Sequence, residues 1–219
     1  MANAPRTLLI TGGSRGLGRN AALALAARGA DIVLTYRSQP EAAAEVVAAI
    51  EASGQRAVAL PLDMADSPGF GAFAERVRDV LQEWGRSGLD GLLNNAGEGH
   101  HALIADTTPE AFDHLVAVHL KGPYFLTQAL LPVLNDGGRI LNVSSGLARF
   151  SLPGSSAYAM MKGGIEVFTR YLAKELGARG ISANTLAPGA IETDFGGGRV
   201  RDDAGINAMV AGNTALGRA

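Results

Sequence analysis

The chain of 219 residues has no cysteine, so neither a disulfide framework nor a thiolate metal centre is open to it. Charged residues make up only 18% and aromatic residues 5%. No run of about eighteen apolar residues occurs that would span a bilayer. Lysine and arginine are scattered, and the formal net charge is -2, so there is no basic footprint for nucleic acid or an anionic membrane. Residues 1–7 lack the charged start, apolar middle and small-residue cleavage site of a secretory signal. These absences point to a cytoplasmic protein with no nucleic-acid or membrane partner. What the chain does have is 47% hydrophobic residues, too many for a disordered chain and enough to bury the core of one domain over residues 1–219.

Short β-branched or leucine-rich runs at residues 7–11, 32–36, 57–60, 89–94, 139–144 and 181–186 read as buried strands. Helical spacing fills residues 17–28, 41–53, 70–84, 110–134 and 156–179. Gly29, Gly54, Gly85 and Gly180 stand where C-caps belong. Such alternation implies right-handed βαβ units: an α/β fold with a doubly wound parallel sheet and helices on both faces. Ligands of these sheets bind at the carboxyl ends of the strands. The Gly196, Gly197, Gly198 run predicts a mobile loop.

Directly after the first strand comes Thr11-Gly12-Gly13-Ser14-Arg15-Gly16-Leu17-Gly18. Gly12, Gly16 and Gly18 let the backbone turn tightly and approach a pyrophosphate. The N–H groups and positive dipole at the helix start, around Ser14, Arg15 and Leu17, favour its negative charge. A P-loop is excluded, because Arg19-Asn20 follows in place of the required Lys-Ser/Thr. NAD-selective domains carry a carboxylate roughly 20 residues further on to hold the ribose 2′-hydroxyl. Here the second strand ends in Thr35-Tyr36-Arg37-Ser38. Arg37, with Arg15, suits a 2′-phosphate, which predicts NADP(H), with NAD(H) as the alternative. Asp63, beside Met64, is placed to accept from an adenine amine or to cap the following helix.

The glycine turn, Asn94-Asn95-Ala96-Gly97, Ser144-Ser145, the Tyr158-Ala-Met-Met-Lys162 segment and Pro188-Gly189 occur in that order. Together they resemble the short-chain dehydrogenase/reductase family, over nearly the whole chain. The resemblance implies a single Rossmann-like domain and hydride transfer between NADP(H) and a carbonyl or secondary alcohol. Tyr158 and Lys162, four residues apart, share one helix face. A free tyrosine titrates at about 10, and a nearby ammonium together with a cationic nicotinamide is expected to bring it toward neutrality, making a general acid in reduction and a base in oxidation. By resemblance, Ser145 hydrogen-bonds the substrate oxygen and Lys162 also holds the nicotinamide ribose. Asn95, Ala96 and Gly97 pack beside the adenine ribose and steady the sheet. Pro188, Gly189, Ile191 and Thr193 fix the nicotinamide ring.

Two departures from the family stand out. Val118-His119-Leu120-Lys121-Gly122 carries a histidine where the family has an asparagine that helps hold a water linking the lysine to solvent. His119 is therefore either a substitute in that relay, able to donate and accept, or a buried histidine satisfied by backbone. The family's last helix and seventh edge strand also have no counterpart in the sequence as it stands. Helix 156–179 carries apolar residues on two faces, Ile165, Phe168 and Leu172 on one and Val167 and Tyr171 near another, which predicts a homo-oligomer, a dimer or tetramer. Glu98, His100 and His101 lack helical ligand spacing, so no metal is expected. They are placed on the substrate rim with Leu147, Arg149, Phe150 and Leu152, where Arg149 is available to an acidic substrate. The alternatives are an NAD-linked alcohol or sugar dehydrogenase and a dinucleotide-binding regulatory protein that has lost turnover.

Overall fold

The computed structural model describes residues 6–219, so the expectation drawn from residues 1–7 falls mostly outside the described residues. The apolar runs form β1 (Thr7–Ile10), β2 (Asp31–Tyr36), β3 (Ala57–Pro61), β4 (Leu89–Asn94), β5 (Leu134–Val143) and β6 (Ser182–Leu186). All pair in parallel, in the order β3-β2-β1-β4-β5-β6. β2 is buried along nearly its whole length while the outermost β6 has no buried residue. This is what a sheet covered on both faces imposes on its central and edge strands. The strand order reverses between β1 and β4, and that switch point opens a crevice at the carboxyl ends of the strands.

Helices α1 (Gly16–Ala26) and α2 (Pro40–Glu51) cover one face, packing Ala22, Val46 and Ile50 against Ile10, Ile32 and Leu34. On the other face α3 (Phe70–Glu83), α5 (Gly122–Leu130) and α6 (Ser156–Glu175) bring Phe70, Phe73, Leu126, Leu130 and Leu172 onto Leu9, Val33, Leu92 and Ile140. Gly29, Gly54, Gly85 and Gly180 take positive φ after α1, α2, α3 and the turn that ends α6, as expected of C-cap glycines. No helix among the described residues is long and apolar enough to cross a membrane.

Three boundaries differ from the sequence reading. The helix expected over 110–134 is α4 (Pro109–Val116), a π turn (Ala117–Lys121), α5 and a short 3-10 turn (Leu131–Val133). Pro123 explains the break: it has no N–H to give the His119 carbonyl four residues back, and its ring crowds that carbonyl, so the helix widens there. β5 begins five residues earlier than expected, with a register irregularity between its pairings Leu89↔Leu134 and Gly91↔Arg139. The glycine run expected to be a mobile loop is a tight turn, with Gly196, Gly197 and Gly198 at φ 63, 76 and 76. It leads into α7 (Arg199–Asp202) and α8 (Ala204–Gly212), which the sequence reading did not separate from loop. α8 is only nine residues long, and its start is fixed by Asp203, whose side chain accepts from the Gly205 and Ile206 N–H groups.

Candidate active site

The glycine turn is fixed from two sides. Thr35 accepts from the Gly12 N–H through its hydroxyl (3.1 Å) and from the Gly13 N–H through its carbonyl (2.9 Å). Asn95 donates to the Thr11 and Gly12 carbonyls (2.9 and 3.2 Å), while the Thr11 hydroxyl accepts from the Asn95 and Ala96 N–H groups (both 3.0 Å). Asn95 and Ala96 thus tie the end of β4 to the turn. Gly12 and Gly16 sit at φ 65 and 55, and a Cβ on Gly18 would lie 2.2 Å from the Gly12 carbonyl oxygen, so the close return of chain on chain needs glycine. α1 then starts with no side-chain cap and no acid in its first turn. An uncapped helix start behind a glycine turn fits a dinucleotide pyrophosphate, with Ser14, Arg15, Gly16, Leu17 and Gly18 as the backbone that would meet it.

The other expected cofactor residues gather at the same strand ends with individual differences. Thr193 reaches the turn: its Cβ is 3.7 Å from where a Gly16 Cβ would stand, and its hydroxyl accepts from the Phe195 N–H (3.2 Å). The Pro188 carbonyl accepts from the Gly146 N–H (2.9 Å), tying the loop after β6 to that after β5; Gly189 and Ile191 follow, exposed. Asp63 caps its own turn by accepting from the Ala65 N–H (2.9 Å), and the Met64 side chain is buried in the core. Arg37 is ion-paired with Glu98 (3.2 Å). Arg149, which the sequence reading leaves open to an acidic substrate or to solvent, lies 3.5 Å from Glu166.

Tyr158, on the first turn of α6, is buried at 8% exposure, and Lys162 one turn on at 5%. The Lys162 ammonium donates to the Val143 carbonyl (2.9 Å) at the end of β5 and stands 5.5 Å from the centre of the Tyr158 ring. Burial pushes the phenol up to about 12, with a smaller opposing pull from the Ser145 hydroxyl, and burial lowers Lys162 to about 8. The sequence reading counts on a cationic nicotinamide beside the ammonium to bring the phenol toward neutrality; the chain's own groups do not lower it. Desolvation of the phenolate outweighs the charges that the chain itself supplies. Ser145 begins a 3-10 turn (Gly146–Ala148), its hydroxyl accepting from the Leu147 N–H (3.2 Å).

His119 sits in the π turn, 1% exposed, its ring edge-on to Tyr158 at 5.4 Å. Nε2 is 2.9 Å from the Glu98 carbonyl, which makes it the N–H donor and leaves Nδ1 a buried acceptor without a protein partner. Burial, with the charge of Lys162, lowers the imidazole to about 3, so it is neutral. Gly97 makes room for it: a Cβ there would stand 2.7 Å from the His119 ring.

Sequence reasoning missed three sets of residues around this centre. Phe195 packs 5.9 Å from Tyr158 and against Gly99, and only its place after the expected nicotinamide segment hinted at this. Glu98 was considered only as a metal or rim residue, yet it pairs with Arg37 and with His114. Behind the site, Asn94 donates to Thr127 (3.1 Å) and Asn142 (2.8 Å), and Asn142 donates to Thr169 (2.9 Å), all buried. Phe150 stands at the Gly146 turn and His101 against Gly154, and the Ala102 N–H donates to the Gly154 carbonyl (2.9 Å), joining the two rim loops.

Comparison with known proteins agrees with this geometry. The chain matches the family model described as short chain dehydrogenase over residues 6–204. It is 33% identical over 219 aligned residues to the trihydroxynaphthalene reductase of Colletotrichum orbiculare, covering 94% of this chain and 75% of that protein. A short chain dehydrogenase from Burkholderia cenocepacia solved in complex with NADP is 38% identical, with a TM-score of 0.88 over 98% of this chain and 84% of the other. The landomycin C-6 ketoreductase LanV, solved with bound NADP and rabelomycin, is 36% identical, with a TM-score of 0.86 over 97% and 82%. The chain belongs to the short-chain dehydrogenase/reductase family and is an oxidoreductase with a single Rossmann-like sheet.

Proposed function

We propose that this enzyme reduces a ketone to a secondary alcohol with NADPH, and that Tyr158 gives the proton. The observation that carries this reading is a buried phenol one helical turn from a buried ammonium, at the carboxyl end of β5 and beside an uncapped glycine turn. Ser14, Arg15, Gly16, Leu17 and Gly18 hold the cofactor pyrophosphate, Arg37 the 2′-phosphate, and Lys162 the nicotinamide ribose. Asp63 and the Met64 backbone border the adenine, Asn95, Ala96 and Gly97 its ribose, and Pro188, Gly189, Ile191 and Thr193 the carboxamide. The bound cofactor supplies the hydride. As charge builds on the substrate oxygen, Ser145 donates a hydrogen bond to it and the Tyr158 hydroxyl transfers its proton. With a phenol raised to about 12, Tyr158 keeps that proton at neutral pH, which is the form a reduction needs. Lys162, with the free Nδ1 of His119 behind it, returns a proton from solvent.

The substrate class we favour is a ketone on a flat fused-ring system. Phe195 and the edge of His119 flank Tyr158, and Phe150 and His101 stand on the rim loops at Gly146 and Gly154, so the site offers aromatic side chains that suit contact with a planar ring. One relative is named for trihydroxynaphthalene, and a solved relative was captured with rabelomycin. The exposed apolar residues of α5 and α6 support a homo-oligomer, and the absence of cysteine fits a reducing cytoplasm.

Tyr158→Phe tests the mechanism. NADPH binding, followed by titration, stays within about twofold, while turnover of a fused-ring ketone falls by about 100-fold or more, the usual worth of positioned proton transfer. Turnover at the wild-type rate removes Tyr158 from the mechanism.

A further inference from the structure

Arg37 lies one residue beyond β2 and Glu98 four beyond β4, and β1 runs between those strands. Strands stand about 4.8 Å apart, so roughly 10 Å separates β2 from β4. Yet the Arg37 guanidinium is 3.2 Å from the Glu98 carboxylate. The pair therefore leans across the carboxyl end of β1, where the glycine turn sits with Gly12 against Ala96. The second carboxylate oxygen of Glu98 meets the His114 imidazole, which holds the side chain toward the crevice from the α4 side. Both partners of the Arg37 pair keep solvent access, 53% and 33%, so the contact is one that a stronger ligand can exchange.

We propose that Glu98 is a cofactor-selectivity residue: its carboxylate occupies Arg37 and competes with the 2′-phosphate of NADP(H) for it. The proposal rests on the reading of Arg37 as the 2′-phosphate partner. NAD-selective domains discriminate with a carboxylate at the end of the second strand. In this chain that strand end is basic and the carboxylate arrives from the loop after β4. The competition bears only on the cofactor that carries the phosphate. With NAD(H), which presents a 2′-hydroxyl, the ion pair stays closed and costs nothing. The chain therefore accepts NADP(H) less selectively than a lone arginine would allow.

Titration of the purified protein with NADPH and with NADH, followed by nucleotide fluorescence and without substrate, tests this for wild type, Glu98→Gln, Arg37→Leu and the double variant. Glu98→Gln is expected to tighten NADPH by up to about fivefold, the worth of an exposed ion pair, and to leave NADH unchanged. The gain shrinks at high salt and disappears in the Arg37→Leu background. An unchanged ratio of the two dissociation constants in Glu98→Gln, while Arg37→Leu weakens NADPH alone, overturns the role of Glu98 and leaves the reading of Arg37 standing. A gain that persists without Arg37 also overturns the competition. A ratio unmoved by Arg37→Leu overturns the reading of Arg37 itself, and the proposal with it.

Discussion

At the scale of single residues, His119 is where environment most changes chemistry. Its one good hydrogen bond fixes Nε2 as donor, and burial keeps the ring uncharged down to about pH 3. The unfolded chain protonates near 6.5 and the folded chain near 3, so the folded pKa is depressed. The associated stability is present above about 6.5 and is lost as pH falls toward 3, because only the unfolded state takes up the proton. Between pH 7.5 and 5 this costs the wild type about 2 kcal/mol, a loss that His119→Asn does not suffer. Denaturant unfolding of both proteins at the two pH values measures it, and parallel losses would mean that the native imidazole is protonated or solvated. Turnover is expected to survive in His119→Asn, which keeps an acceptor, and to fall in His119→Leu at matched stability. Equal rates in the two variants would make His119 a packing residue. The Tyr158 and Lys162 pair was legible in the sequence because helical spacing alone aligns them. How deeply the phenol is buried was not, because it depends on how the loops around α6 close over it. Glu98 escaped notice because its partners, Arg37 and His114, are remote in sequence and meet only once β2, β4 and α4 are assembled.

At the scale of elements, the catalytic end of the sheet is held by side-chain pairing inside the core. Asn94 and Asn142 stand opposite each other in the β4–β5 register. Through Thr127 and Thr169 they join those strands to α5 and α6. Asn142→Leu keeps the bulk but leaves one Nδ2 proton of Asn94 and one lone pair of the Thr169 hydroxyl unpaired, while Asn94 keeps Thr127 and Thr169 keeps the Ile165 carbonyl, and each unsatisfied buried site costs about 1 to 3 kcal/mol. We expect unfolding stability to drop by about 2 to 4 kcal/mol at an unchanged denaturant slope. A drop below about 1 kcal/mol would show that the neighbours re-pair. Strand centres and glycine caps were readable because burial on both faces writes continuous apolar runs and left-handed caps demand glycine. The break between α4 and α5 was missed although Gly122-Pro123 advertised it. The apolar periodicity of 110–134 continues through the π turn, so pattern outvoted the missing N–H of Pro123.

At the scale of the molecule, the parallel sheet and its crevice follow from the strand–helix alternation, whereas the assembly does not, since no periodicity distinguishes a helix face that meets the sheet from one that meets another subunit. The structure separates a buried face of α6 from an exposed one. Ile165 and Leu172 are buried against the core, while Met160, Val167 and Tyr171 form an exposed stripe at helical spacing. Tyr124 and Phe125 of α5 extend that stripe, with Tyr124 stacked 5.0 Å from Phe168. Contiguous exposed aromatics of this kind are costly on a monomer in water and serve association. In a two-fold interface each substitution is felt twice, because the same residue contributes from both subunits. Tyr171→Glu, which is 63% exposed and so leaves the core untouched, is expected to weaken self-association by about tenfold or more while the folded secondary structure persists. Light scattering across a concentration series measures this, with wild type above the 22.5 kDa of one chain and the variant shifted toward it. A wild type that scatters as a single chain at every concentration would sink the homo-oligomer, and a variant as large as wild type would move the interface away from α6.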